Sequence, residues 1–167
     1  APDDARRRDR IAAIAQHARG RLAADKSAMA VSFLETFLAG VPADDLIERS
    51  TEDLYGCAIS LWRQLLGHAA GTSIVRVFNP TVATHGWSSS NTVVEIINDD
   101  MPFLVDSVTM TLTRRDRAIH LVVHPQFVVR RDIAGELLEV CDVGESDPAV
   151  AEMPDALVES WMHIETD

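Results

Sequence analysis

The spacing of apolar residues changes near Gly71, and this change constrains the fold more than any other feature of the chain. Between residues 9 and 66 apolar side chains recur every three or four positions, as in Ile11, Ile14 and Ala18, which is the pattern of amphipathic helices. After Gly71 they form short β-branched runs, beginning with residues 74–78. The sequence therefore predicts a helical segment over residues 1–70 and an α+β domain over residues 71–167.

Local signals divide the helical segment. Gly40 and Pro42 interrupt the apolar pattern, and Ser50 with Asp53 three positions later resembles a helix-capping pair. Gly67 is expected to end the last of these helices.

The second half alternates strand and helix patterns. Strands are predicted over 74–78 and 92–97, a helix from Pro102 to near Arg115, and a long strand over 119–129 that Pro125 interrupts. Residues 137–141 fit a hairpin partner, residues 143–156 a loop, and residues 160–166 a last short strand. The order β-α-β-β predicts a mainly antiparallel sheet with helices on one face. Trp87, in the polar loop before residue 92, is expected to cover a core edge.

Charge is unevenly distributed along the chain, whose net charge is −11. Residues 132–167 hold 11 acids and no Lys or Arg, so nucleic acid and anionic membranes are not expected as partners. This acidic end is either a solvated face or loop, or a surface that docks onto a basic region of another domain. Arg117 and Arg131 lie near predicted turns, where arginines are usually solvated, although they could also neutralise the acidic end.

Several classes of site lack a motif. Cys57 and Cys141 match no metal or redox spacing and are expected to be buried, reduced thiols. His120 and His124 would stand about 13 Å apart on one strand, too far to share a zinc ion. No glycine-rich dinucleotide loop occurs, so neither a catalytic site nor NAD binding is predicted for this chain.

No apolar run approaches the roughly 18 residues of a membrane span, and none is typical of a signal peptide, so the sequence predicts a cytoplasmic protein.

Four segments carry a resemblance to a known family. Residues 95–108, EIINDDMPFLVDSV, closely resemble the N-terminal segment of the large NAD-dependent glutamate dehydrogenases of bacteria. Residues 75–80 (VRVFNP), 119–125 (IHLVVHP) and 159–165 (ESWMHIE) resemble the same family in the same order.

The resemblance implies an ACT-like, ferredoxin-like module that serves regulation and assembly, in a parent enzyme that uses NAD to deaminate L-glutamate to 2-oxoglutarate and ammonia. Catalysis would lie elsewhere in that enzyme, whose other domains or subunits would be the partners of this chain. A complete ACT module would continue with a second helix and a fourth strand. Either a neighbouring strand such as 74–78 fills the sheet, or the module is incomplete and its exposed edge pairs with another chain.

The turn between the second strand and the helix is the best candidate for a site. ACT-type modules commonly hold small amino acids near this turn, so the resemblance implies an effector site at Asn98, Asp99, Asp100 and Asp106. In a second interpretation the turn has only a structural role, with Asp100 capping the helix. A metal site is a third. If no ligand binds, the chain is a structural scaffold that mediates contacts between domains or subunits.

Overall fold

The computed structural model of the chain describes residues 2–67, 71–141 and 143–167. The helices are α1 (Pro2–Arg19), α2 (Ala24–Ala39), α3 (Ala43–Glu48), α4 (Thr51–Leu65), α5 (Val82–His85) and α6 (Leu104–Arg114). The strands are β1 (Ile74–Phe78), β2 (Thr92–Asp99), β3 (Ile119–Val123), β4 (Gln126–Arg131), β5 (Leu137–Val140) and β6 (Ala156–Thr166), and a short 3₁₀ helix spans Pro148–Glu152. The α+β fold class is confirmed. No helix in these three ranges is long and apolar enough to cross a membrane.

The helix boundaries follow the local signals in the sequence. α2 ends at Gly40, and α3 follows directly after Pro42. At the start of α4 the Ser50 hydroxyl accepts a hydrogen bond from the Asp53 amide at 3.1 Å, which satisfies one of the free donors of the first turn. The predicted capping pair is therefore confirmed.

All strand pairs of the sheet are antiparallel, in the order β1-β2-β6-β4-β5, with β3 also beside β6. β1 lies beside β2, so a neighbouring strand does fill the sheet, the first of the two alternatives raised by the sequence. The division into residues 1–70 and 71–167 stays a prediction.

β3 and β4 follow the same edge of β6, and after a register shift between Ile119 and Leu121 they keep a single register. Val123 faces His163 and Gln126 faces Ser160, and between them the Trp161 amide donates to the Pro125 carbonyl at 3.1 Å. The interruption predicted at Pro125 is present, because β3 ends at Val123 and β4 begins at Gln126. Proline removes one ladder donor there, but the pairing with β6 continues without a shift across this gap.

β6 differs from its prediction. It is not a short strand of residues 160–166 but an 11-residue strand, Ala156–Thr166, between β2 and the β3–β4 pair. Its last eight residues are buried because helices cover both faces of the sheet. Residues 156–159 were missed because they are held in the strand by pairing with residues 127–130 of β4, and pairing between distant segments leaves no local pattern in the sequence.

The two faces of the sheet have different partners. On one face α6 packs against Val94, Ile96, Met162 and Ile164. On the other face, side chains of α1, α2 and α4 share one large hydrophobic cluster with Val93, Ile97 and Trp161 of the sheet. Trp87 is buried in this cluster, which confirms that it covers the core. The helical segment is thus a layer over the sheet.

Candidate functional site

A cavity of about 300 Å³ lies where β2 passes into α6. We call it the turn cavity. Its wall is formed by the loop after β2, the first residues of α6, the loop before β4 and the start of that strand, and two residues of β6. The lining residues are Asp100, Met101, Pro102, Phe103, Leu104, Val105, Asp106, His124, Gln126, Ser160 and Met162.

Asp100 ties the turn to the sheet. One of its carboxylate oxygens accepts hydrogen bonds from the Ser160 hydroxyl at 2.7 Å and from the Gln126 amide group at 3.0 Å. Its backbone amide donates to the Val158 carbonyl at 2.8 Å. The expectation that Asp100 caps α6 is therefore wrong, because β4 and β6 already provide donors for its carboxylate.

The N-terminus of α6 carries no side-chain cap. Phe103 occupies the cap position, and its side chain makes no capping hydrogen bond. The φ angle of Phe103 is 64°, a left-handed conformation that costs a bulky residue about 1–3 kcal/mol. Phe103 is 75% exposed, and it lines the cavity. Among residues 2–67, 71–141 and 143–167, no side chain accepts a hydrogen bond from the first amides of the helix, including those of Leu104 and Val105.

The four predicted site residues divide into two pairs. Asp100 and Asp106 both line the turn cavity. Asn98 and Asp99 do not, because they hold the turn against the segment before β1. The Asn98 side chain is hydrogen-bonded to the Ser73 hydroxyl and donates to the Asp99 carbonyl at 2.9 Å, and Asp99 accepts from the Gly71 amide at 3.0 Å.

Sequence reasoning missed Gln126 and Ser160, the two donors to Asp100. Ser160 lies opposite Gln126 in the β4–β6 register, and Asn98 lies opposite Ser160 on β2. Neither pairing leaves a local signal in the sequence. Ser160 lies within residues 159–165, which resemble the family, but the resemblance implied no role for it. His124 lines the same cavity, and among the described residues no group of three or more His, Cys, Asp or Glu side chains could hold a metal ion.

Buried ion pairs hold three acids of the central strands, and one of these pairs joins the helical layer to the sheet. Three fully or nearly fully buried acids, which we call the buried carboxylates, are Glu95 of β2 and Glu159 and Glu165 of β6. Each pairs with an arginine from a different segment, and we call these the clasp arginines: Arg76 with Glu95 at 2.9 Å, Arg131 with Glu159 at 2.8 Å, and Arg49 with Glu165 at 2.6 Å.

Arg131 makes the most enclosed of these pairs. Its side chain is 1% exposed and that of Glu159 is 0% exposed, and the two form two parallel hydrogen bonds at 2.8 and 2.9 Å. Arg131 also donates to the Leu65 carbonyl at the end of α4 at 2.7 Å, and the Trp161 indole donates to Glu159 at 3.0 Å. Of the two alternatives for Arg131, solvation is therefore wrong, because its side chain lies under the end of α4, and neutralisation of the acidic end is confirmed through Glu159.

Glu165 lies in a second buried network. Burial by itself would raise the pKa of this carboxyl, but hydrogen bonds from His163, Ser89 and Arg49 and the charge of His163 lower its pKa to about 2. The bonds span 3.0 Å from His163, 2.6 Å from Ser89 and 2.6 Å from Arg49. With Glu159, Glu165 shows that the acidic end is not simply a solvated face or loop.

Both cysteines are free and buried, as predicted. Burial raises the pKa of the Cys57 thiol far above its ordinary value, with the nearby charge of Glu165 adding to the effect. A thiol held in its protonated form is a poor nucleophile, so this cysteine has the properties of a core residue.

The antiparallel sheet, with α6 on one face and the strand-to-helix turn cavity at its end, defines an ACT-like α+β module. Residues 33–167 match the family described as "Glutamate dehydrogenase, ACT1 domain". The chain belongs to this family.

Two curated relatives carry the same resemblance. The chain is 39% identical over 156 residues to the NAD-specific glutamate dehydrogenase of Pseudomonas aeruginosa, covering 93% of this chain and 9% of that protein. It is 35% identical over 161 residues to the NAD-specific glutamate dehydrogenase of Halomonas elongata, covering 96% of this chain and 10% of that protein. The chain thus spans about a tenth of the length of these relatives. No solved structure matches it significantly.

Proposed function

We propose that this chain is a regulatory and assembly module of a cytoplasmic NAD-dependent glutamate dehydrogenase, and that it binds an amino-acid effector in the turn cavity. The parent enzyme would deaminate L-glutamate to 2-oxoglutarate and ammonia, with NAD as the oxidant. Membership of the ACT1 family and the coverage of 9% and 10% of two NAD-specific glutamate dehydrogenases support this role. The chain itself would contribute no catalytic or NAD-binding residue, and its partners would be other domains or subunits of that enzyme.

The observation that carries the effector proposal is that the turn cavity has both negative and positive groups: two carboxylates, and the partial positive charge of a helix N-terminus. The carboxylates of Asp100 and Asp106 lie beside the N-terminus of α6, which has no side-chain cap. A free amino acid has the complementary charges, since its ammonium group would pair with the two aspartates and its carboxylate with the free helix amides. The cavity volume of about 300 Å³ lies at the lower end of the range for small-molecule sites.

Isothermal titration of the chain against the common amino acids and NAD tests this proposal. Asp106→Asn is the informative variant, because Asp106 is exposed, whereas Asp100 also holds the turn to the sheet. Loss of one charge-assisted contact should weaken binding about tenfold or more. Asp44→Asn is the matched control, since Asp44 is an exposed acid in the first turn of another helix, α3.

Saturable heat with one amino acid, weakened by Asp106→Asn and unchanged by Asp44→Asn, would support the effector site. Absence of heat with every amino acid would contradict the effector proposal and favour a scaffold without a ligand. Tight binding of NAD would overturn both.

Exposed apolar side chains on β1 favour the scaffold as the second candidate function. Val75 and Val77 are 63% and 61% exposed, and they lie opposite Ile96 and Val94, whose side chains contact the α6 layer. Two apolar side chains on the same face of an outer strand, next to a covered core, fit a surface that another part of the parent enzyme covers.

The scaffold function is tested in the full-length parent by Val75→Ser combined with Val77→Ser. Assembly measured by mass photometry should weaken, because polar side chains would replace the apolar contact. Val82→Ser is the control, since Val82 is 66% exposed but lies on α5. Unchanged assembly in the double variant would contradict this function.

A further inference from the structure

A second cavity, of about 380 Å³, lies on the face of the sheet opposite α6, between α1, α4, β1 and the turn after α5. We call it the arginine cavity because Arg21, Arg63 and Arg76 line it together with His17 and His85. Among the described residues that line it, Glu52 is the one acid. In a chain with 26 acids and 15 Lys and Arg, three arginines around one cavity are a local reversal of charge.

Arg76 is fixed at the inner wall. Its guanidinium donates to the buried carboxylate of Glu95 at 2.9 Å and to the Ser60 hydroxyl at 2.6 Å. The same group lies over the Phe78 ring, 4.1 Å from its centroid. Since the charge of Arg76 is balanced by Glu95, this arginine provides an oriented donor group at the cavity and little excess charge.

Arg21 and Arg63 supply the excess charge. Neither forms an ion pair or a side-chain hydrogen bond with any residue in the described ranges. Both are exposed. Arg21 lies two residues after α1 and Arg63 lies on α4, and both line the same cavity. Like charges at one cavity repel each other, and an anion between them would remove this repulsion.

The two histidines provide further polar groups. The Nε2 atom of His17 is buried and has no hydrogen-bond partner in the part of the chain that the structure describes, an arrangement that is uncommon for buried polar atoms. The Nδ1 atom of His85 accepts a hydrogen bond from the Thr81 amide at 3.1 Å, so Nε2 of this ring carries the proton and is a donor. The cavity thus combines guanidinium and imidazole donors.

We infer that the arginine cavity binds a small oxyanion, the phosphate or carboxylate group of a metabolite. Guanidinium groups match the paired oxygens of such anions, which accept two hydrogen bonds from one arginine. Gly56 of α4 and Trp87 lie in close contact at the wall of this cavity. The contact requires glycine, because a Cβ atom at position 56 would lie 2.3 Å from the Trp87 ring. This site is separate from the turn cavity and does not depend on the effector proposed there.

Isothermal titration of the chain at low ionic strength, in a buffer without phosphate, tests the inference. Inorganic phosphate and succinate are the two probes, with sodium chloride at matched ionic strength as the reference. We expect saturable binding of at least one probe, weakened about tenfold or more by Arg63→Gln and by Arg21→Gln. Arg115→Gln is the matched control, an exposed arginine after α6 on the opposite side of the sheet. His17→Phe keeps a ring against Tyr55 and removes the unpartnered nitrogen, so it should also weaken binding.

The two probes distinguish the sources of the anion. Binding of phosphate alone assigns the site to phosphorylated metabolites, and binding of succinate alone assigns it to dicarboxylates. Binding that Arg115→Gln reduces as much as Arg63→Gln does would overturn the inference, since nonspecific surface charge would then explain it. Absence of saturation with both probes would also overturn it. Asp106→Asn, which should weaken amino-acid binding in the turn cavity, should leave phosphate and succinate binding in the arginine cavity unchanged, so the two results are separable.

Discussion

The stability of the chain should depend on pH through Glu165. Its pKa in the folded chain is about 2, below the ordinary value of 4.5, because hydrogen bonds from His163, Ser89 and Arg49 outweigh the effect of burial. A group whose pKa is lower in the folded state stabilises that state above its unfolded pKa, and this stabilisation is lost as the pH falls through the folded pKa. The window therefore extends from about pH 4.5 down to about pH 2.

The expected magnitude follows from this difference. Each tenfold change in an acid dissociation constant corresponds to about 1.4 kcal/mol, so a difference of about 2.5 between pKa 4.5 and pKa 2 gives about 3 kcal/mol. Glu165→Gln resembles the protonated carboxyl at every pH. At pH 7 the variant should be about 3 kcal/mol less stable than the natural sequence, and this gap should shrink as the pH falls below 4.5.

Urea denaturation followed by tryptophan fluorescence, at pH 7, 4.5, 3.5 and 3, measures the free energy of unfolding of both proteins. Glu139→Gln is the control, since Glu139 is 53% exposed and its pair with Arg130 should contribute little. A gap between the natural sequence and Glu165→Gln that stays constant with pH, or that is absent at pH 7, would refute the assignment of the low pKa to this carboxyl.

Other perturbations have expected outcomes of different kinds. Arg131→Met should lower the free energy of unfolding by about 3–5 kcal/mol in urea denaturation, because it leaves the charge of Glu159 buried and unpaired. Adding Glu159→Leu should restore part of that loss, and a single variant as stable as the natural sequence would contradict this reasoning. Gly56→Ala should destabilise the chain in the same assay, because the new Cβ would lie 2.3 Å from the Trp87 ring and this clash outweighs the helix preference of alanine, about 1 kcal/mol. A stabilised variant would show that the ring can move. Cys57 should react slowly with a thiol reagent in the folded chain and rapidly in urea, because burial raises its pKa, and fast labelling of the native protein would contradict its enclosure.

Elements with local signals were predictable from the sequence. The Ser50 cap and the Gly40 boundary are read from a few adjacent residues, and β1, β2 and α6 follow from β-branched runs and helical spacing. A strand over residues 160–166 was predicted, but the full length of β6 and its central place in the sheet were not predictable in this way. Both of its faces are buried, so it lacks the alternation of polar and apolar residues that marks a half-exposed strand.

The candidate site was predictable only in part. The turn cavity lies at the predicted strand-to-helix turn, and Asp100 and Asp106 line it. The orientation of Asp100 depends on Ser160, 60 residues later, so a capping rule based on neighbouring residues gave the wrong partner. The buried state of Arg131 was missed for the same reason, since the α4 carbonyl that it contacts is 66 residues away.

The clasp arginines have a consequence for how the molecule can come apart. Apolar contacts alone would let the helical layer slide over the sheet, because they are nondirectional, but Arg49 of that layer meets the buried carboxylate of Glu165 at a fixed position, and Arg76 and Arg131 of the sheet donate to fixed oxygens of α4. Arg49 follows α3, so displacing the helices would leave Glu165 in an apolar interior without this counterion. Arg131 and Arg76 lie on strands and would keep their carboxylates, but they would lose their hydrogen bonds to the Leu65 carbonyl and the Ser60 hydroxyl of α4. Partial separation of the layers is therefore costlier than its lost apolar area suggests, and helices and sheet should melt in a single transition.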